Sequence, residues 1–314
     1  MLSSRGVACF KGLLLAAVLL APALSPAADG EERCRKEDEL KDKFEKFGLE
    51  VAKEATAFLG KLPKLYAQAA PLLDSGEWGL GAMPLGCLFD DPLTGTRLGR
   101  TAYMDLGELV AAKDEAEDFT IAPDRIVRFV AWWQLPAVIH EFEHVQRQRE
   151  LAARGLHCEM ATLESEVLAR HAEARALRVM KRRSPELFKE SAGMKHAQQR
   201  YADVAAPYKD GPAAMLEAAR GDSPGLPFIQ RLSREDVLRR LAAGERESDV
   251  PAPPGPDQWA NRRLILRRMT AAIGDVCRAE LSDPKKFEDY KKALGAMLED
   301  EARRWRRDNP GVKD

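Results

Sequence analysis

The chain has few cysteines, few histidines and almost no excess charge. It has five cysteines in 314 residues. Cys34, Cys87, Cys158 and Cys277 are widely spaced, with no CxxC, which argues against a cysteine-built zinc site. Beyond the first 25 residues no run is apolar enough to cross a bilayer. There is no phosphate-binding P-loop, no dinucleotide-binding glycine fingerprint and no nucleophile elbow around a serine. No internal repeat is visible. Basic and acidic residues nearly cancel, 49 against 50. A nucleic-acid binder usually shows a basic excess, so that class is set aside.

The first 27 residues have the pattern of a secretory leader. Arg5 and Lys11 supply a basic start, Leu13 to Leu24 a short apolar core, and Ser25-Pro26-Ala27 the small residues a peptidase reads. Cleavage is expected after Ala27, with an uncleaved anchor as the alternative. Loss of Arg5 and Lys11 leaves 47 basic against 50 acidic residues, a net of −3. The expected location is secreted or periplasmic, with no stable membrane span after cleavage. Four cysteines then remain, an even number that suggests two disulfides in one of three pairings.

Periodicity makes the chain mainly α. Phe44, Phe47, Val51, Ala55 and Phe58 fall at helical spacing within a charged stretch, 31–59. A short helix is expected over 64–73. Glycine and proline then crowd residues 75–107, where the runs 85–89 and 100–106 are expected to form a small sheet. Helical pattern returns from Pro123 to Arg154, kinked or divided at Pro136 and stopped at Gly155. Further helices are expected at about 159–182, from Pro185, and near 194–208, 212–220, 234–243, 257–281 and 284–307. The division expected is a leader at 1–27, a main domain at 28–248, a proline-rich linker at 249–256, and a C-terminal helical pair at 257–314 packing on the main domain.

Two of the five histidines stand in one pentapeptide, His140-Glu141-Phe142-Glu143-His144. Residues at i and i+4 lie about 40° apart on one helix face, close enough to share one Zn²⁺. Glu141 is on the adjacent flank, where a carboxylate can take a proton from a polarised water. The apolar run Leu135, Ala137, Val138 and Ile139 points to a buried helix. The charges Glu143, Arg147 and Arg149 also fit two surface histidines with no metal.

This pentapeptide and the helix after it resemble the HExxH zinc metallopeptidases, the zincins. The likeness covers 136–150 closely and the following helix loosely. It implies a zincin-like helical domain with a small β element before the metal helix. It makes His140 and His144 zinc ligands and Glu141 the general base. Glu143 departs from the family, which usually has an uncharged residue there. The metzincin branch would place Gly at 147 and His or Asp at 150. Arg147 and Glu150 exclude it. In the gluzincin branch the third ligand is a glutamate on the next helix. Here Leu163 to Ala174 resembles that Glu-x-Glu helix.

On that helix the apolar stripe is Met160, Leu163, Val167, Ala174 and Leu177, with Glu166 and Glu164 on opposite flanks. Glu166 shares its flank with Arg170, which can orient it, and with Glu173. Glu166 is therefore the first candidate, followed by Glu164 and Glu173. His171 is a further candidate, though on the opposite flank. His196, Tyr201, Tyr208 and Tyr103 are oxyanion candidates by residue type alone. Trp132-Trp133 is expected to pack in the core or to line a substrate wall. In zincins an edge strand ahead of the active helix pairs with extended substrate, and 100–106 stands at a suitable distance.

The expected function is an exported zinc-dependent hydrolase acting on a peptide or protein, with peptidoglycan cross-bridges also open. The alternatives are a non-catalytic helical binding protein with a vestigial motif, and a protein whose zinc is structural.

Overall fold

The computed structural model describes residues 26–73, 79–83, 95–98, 101–119, 121–191, 194–248 and 271–310. Among the described residues the chain is mainly α with one small sheet. The expected leader lies outside these residues, except that Pro26 and Ala27 open α1 (Pro26–Lys61). After α2 (Pro63–Leu73) come β1 (Gly79–Met83), β2 (Gly95–Leu98) and β3 (Thr101–Asp105). The expected strand 85–89 falls outside the described residues. Strand order is β1-β3-β2, with β1 parallel and β2 antiparallel to β3. The expected edge strand at 100–106 is therefore the central one. Its backbone groups are occupied on both sides, so it has none left to pair with a substrate.

α3 (Leu106–Asp118) starts directly from β3. Asp105 is its cap, accepting the Glu108 N–H at 2.9 Å. α1 lies close over this junction. A Cβ on Gly48 would stand 2.9 Å from the Ala82 Cβ, so only glycine allows that approach.

α4 (Ile126–Ala152) follows a 3₁₀ turn at Pro123–Arg125 and runs unbroken through Pro136. Proline removes one intrahelical bond, to the Trp132 carbonyl. Burial outweighs that loss, since every residue from Phe129 to Ile139 is buried. Gly155, at φ +73°, takes the left-handed position that ends the helix. Residues 156–162 are not helical. α5 (Leu163–Arg183) begins only at its cap, where Thr162 Oγ1 accepts the Ser165 N–H at 3.2 Å.

The expected helix 194–208 is three pieces: α6 (Pro185–Ser191) precedes α7 (Lys195–Arg200), a π turn at Tyr201–Ala205 and α8 (Ala206–Asp210). α9 (Pro212–Asp222) and α10 (Arg234–Ser248) follow. The proline-rich linker lies outside the described residues. A helix is described again over 271–281 (α11), then α12 (Pro284–Asp308).

Apolar clusters pack against the α4–α5 pair from several sides. The first joins α1, α2, α3 and β3 to Phe129, Trp132, Leu135, Val138 and Phe142 of α4. The second joins Leu151, Leu156 and Leu168 to Phe287, Tyr290, Leu294 and Met297 of α12. The third closes Trp305 against Leu177, Val204, Tyr208 and Met215. Trp132 and Trp133 are both buried in the first, so neither forms a substrate wall.

Candidate metal centre

α4 and α5 pack along each other in opposite directions. His144 meets Ser165 near the start of α5, and His140, one turn earlier on α4, meets Glu173 two turns further along. Between these contacts the inward atoms converge. His140 Nε2 and His144 Nε2 are 3.1 Å apart, and Glu166 Oε2 is 3.5 Å from the first and 3.6 Å from the second. Among the described residues this is the one group of three potential ligands gathered at one point. A tetrahedral zinc with bonds of about 2.0–2.1 Å separates its ligands by about 3.4 Å. The triangle has the required size, and its atoms are the required types.

Each donor is held from behind. Glu173 Oε2 is 3.3 Å from His140 Nδ1, and Ser165 Oγ is 2.9 Å from His144 Nδ1. Arg170 Nε donates to Glu166 Oε1 at 2.9 Å, and Arg170 also pairs with Asp222 at 2.7 Å. These contacts leave Nε2, Nε2 and Oε2 facing one another. Two imidazole lone pairs at this separation need a proton or a cation between them.

The electrostatics agree. Burial alone would lower the His140 pKa, but Glu166 and Glu173 overcome it and hold the ring well above its ordinary value. Burial alone would raise Glu166, but His140 and His144 hold it well below the usual carboxylate range. The charged carboxylate is balanced by a proton on the imidazoles, or by a cation that takes the proton's place.

The other candidates fall elsewhere. Glu164 is buried and turned to the second cluster, where its Oε1 accepts the Gln230 N–H at 2.8 Å. Glu173 stands behind His140 rather than beside Glu166. His171 is buried against Tyr208, with ring centroids 5.4 Å apart, and its Nδ1 is 3.7 Å from Glu301. Burial and Arg175 push it down to about 3. Tyr208 thus sits with His171, and Tyr201 is exposed beside Phe188. Tyr103 alternates with the core residues Ala102 and Met104 and so stands on the other sheet face. The His196 side chain lies outside the described residues. Glu143, the departure from the family pattern, is buried and ion-paired to Arg147. Glu141 is half-buried on the flank next to His140, with no hydrogen bond or ion pair to a described residue.

Sequence reasoning missed Ser165, because a serine in the first turn of a helix is ordinary and carries no signal of its own. It also missed Glu280, because the groups its Oε2 accepts from, the His157 and Cys158 N–H, are backbone groups that carry no sequence signal. Against protein-family profiles, curated proteins and solved structures alike, the chain finds no match.

Proposed function

We propose that this chain is an exported zinc-dependent metallohydrolase, a peptidase of the HExxH type. The observation that supports it is the convergence of His140 Nε2, His144 Nε2 and Glu166 Oε2 within 3.1–3.6 Å, on helices whose outer partners aim all three inward. Bound there, zinc supplies Lewis acidity toward a carbonyl and a water.

The residues divide the remaining work. His140, His144 and Glu166 would hold the ion, and three protein ligands would leave it a position open to water or substrate. Glu173, Ser165 and Arg170 keep the donors in place. Glu141, one residue past a ligand and without a competing partner among the described residues, accepts a proton from the attacking water and returns it to the leaving amine. The substrate class is a peptide or protein.

The test pairs metal analysis with one substitution. Protein matured in an oxidising compartment should carry one equivalent of zinc and cleave a mixed peptide library. Glu141→Gln should keep the zinc and lose cleavage by 10²-fold or more. Zinc-free protein, or a Glu141→Gln variant as active as the parent, would sink the proposal. Zinc bound with no cleavage by either protein would leave the structural-metal alternative.

A further inference from the structure

The segment joining α4 to α5 is the shortest covalent path from His144 to Glu166, and it is anchored at its midpoint. It turns at Gly155 and reaches Thr162, the cap of α5. Between them Cys158 is bonded to Cys277 of α11. Glu280, on the same helix, reaches back to this spot. Its Oε2 accepts the N–H groups of both His157, at 2.7 Å, and Cys158, at 2.8 Å. Its Oε1 pairs with Lys286 of α12 at 3.1 Å. Cys158, Cys277 and Glu280 are all buried.

A buried carboxylate that receives two consecutive backbone donors is a short, directional contact. The disulfide adds a covalent link between positions 119 residues apart. At its far end the segment is fixed again, by the Leu163 N–H on the Pro227 carbonyl at 3.0 Å. Ser165, which orients His144, and Glu166 follow within one turn. α11 donates no atom to the metal triangle, so this clamp can act on the centre only through position.

We infer that Cys158, Cys277 and Glu280 are positioning residues for the metal centre, which reaches full affinity only once the Cys158–Cys277 bond has formed. The inference rests on reading His140, His144 and Glu166 as a metal site. In the bond-forming step the two thiols lose two protons and two electrons to a disulfide oxidant by exchange, and the oxidant leaves as a dithiol. Both sulfurs are buried in the folded chain, so the bond forms before the segment docks. The order is oxidation, docking, then metal. Ligand geometry tolerates displacements of only about 0.5 Å. Without the disulfide, only the Glu280 contacts and the Leu163–Pro227 hydrogen bond would hold the segment that leads into α5.

The test compares full-length proteins by zinc competition against a chromophoric chelator and by the visible spectrum of the cobalt-substituted form. The variants are Cys158→Ala/Cys277→Ala, Glu280→Ala, Glu280→Gln and, as a stability control, Leu109→Ala. Leu109 is buried in the first cluster on α3. The double variant should bind zinc about 10- to 100-fold more weakly than wild type and show an altered cobalt spectrum. Glu280→Ala should follow it, and Glu280→Gln, whose amide oxygen still accepts both N–H groups, should recover most of the affinity. Leu109→Ala should melt earlier yet keep wild-type affinity and spectrum. Should the double variant not fold, the two Glu280 variants decide the question.

Wild-type affinity in both the double variant and Glu280→Ala overturns the inference and leaves the metal site standing. Equal loss of affinity in Leu109→Ala also overturns it, by reducing the clamp to general stability. A wild-type protein that binds no zinc removes the metal site itself, and the clamp's role with it.

Discussion

The contact between Glu173 Oε2 and His140 Nδ1, at 3.3 Å, decides which ring nitrogen is left for an ion. With Glu173 ionised, Nδ1–H is the donor and Nε2 carries the lone pair. Glu173→Gln should therefore lower zinc affinity about 10- to 100-fold without unfolding the chain. Competition titration alongside circular dichroism checks this. An unchanged affinity would mean another group fixes the tautomer. The histidines also make opposite demands on pH. In the metal-free protein His140 is raised, so its contribution to stability is complete below about pH 6.5 and is lost as pH rises through the folded value. Glu166 is lowered, so its contribution is present above about pH 4.5 and is lost as pH falls through its folded value. His171 is depressed to about 3, so the folded chain resists protonating it. Its effect is nil above about pH 6.5 and grows as pH falls toward 3, at about 1.4 kcal/mol per pH unit. Replacing His171 with Gln should flatten the acid limb of a denaturation series run from pH 7 to 4. An unaltered slope there would show that His171 is protonated in the fold.

At the scale of elements, what the sequence made legible depended on whether one face decided the outcome. His140 and His144 were legible because both lie on one face of one helix, and spacing alone sets their separation. Glu166 ranks ahead of Glu164 because Arg170 and Glu173 share its flank of α5, and the structure puts Glu166 by the imidazoles and Glu164 at the Gln230 N–H. The rank of β3 within its sheet was not legible, because the order of strands depends on partners distant in sequence. Pro136 does not divide α4, because local preference for a break is outweighed by burial on all sides from Phe129 to Ile139. The expected start of α5 is early because Glu159 to Ala161 suit a helix, whereas Glu280 and Cys277 anchor His157 and Cys158 just before them. Thr162 is the element that marks the true start. Its Oγ1 caps the Ser165 N–H, and Thr162→Ala should cost about 1 kcal/mol in chemical denaturation. It should also weaken zinc binding, because Ser165 and Glu166 occupy the turn it caps. Loss of stability with no change in zinc affinity would separate the cap from the centre.

For the whole molecule, the proposed centre gathers side chains from two helices that the rest of the fold holds from several sides. The first apolar cluster grips α4 through Trp132 and Phe142, and the second grips both helix ends through Leu151, Leu156 and Leu168. Away from the metal triangle, α12 adds a buried ionic seam in which Glu301 pairs with Arg175 and Arg304. An ion that binds only where His140, His144 and Glu166 have been brought together must favour the folded chain over the unfolded one. Zinc at about 100 times its dissociation constant would then add about 2.7 kcal/mol to stability. For a chain of this size that is a rise of roughly 4–5 °C in melting temperature. Scanning calorimetry with and without zinc should show this rise in wild type and none in His144→Ala. The rise should shrink below the raised pKa of His140, where a proton competes for the same nitrogen. A rise that survives His144→Ala would place the ion at another point in the chain. The convergence of α4 and α5 would then serve packing alone.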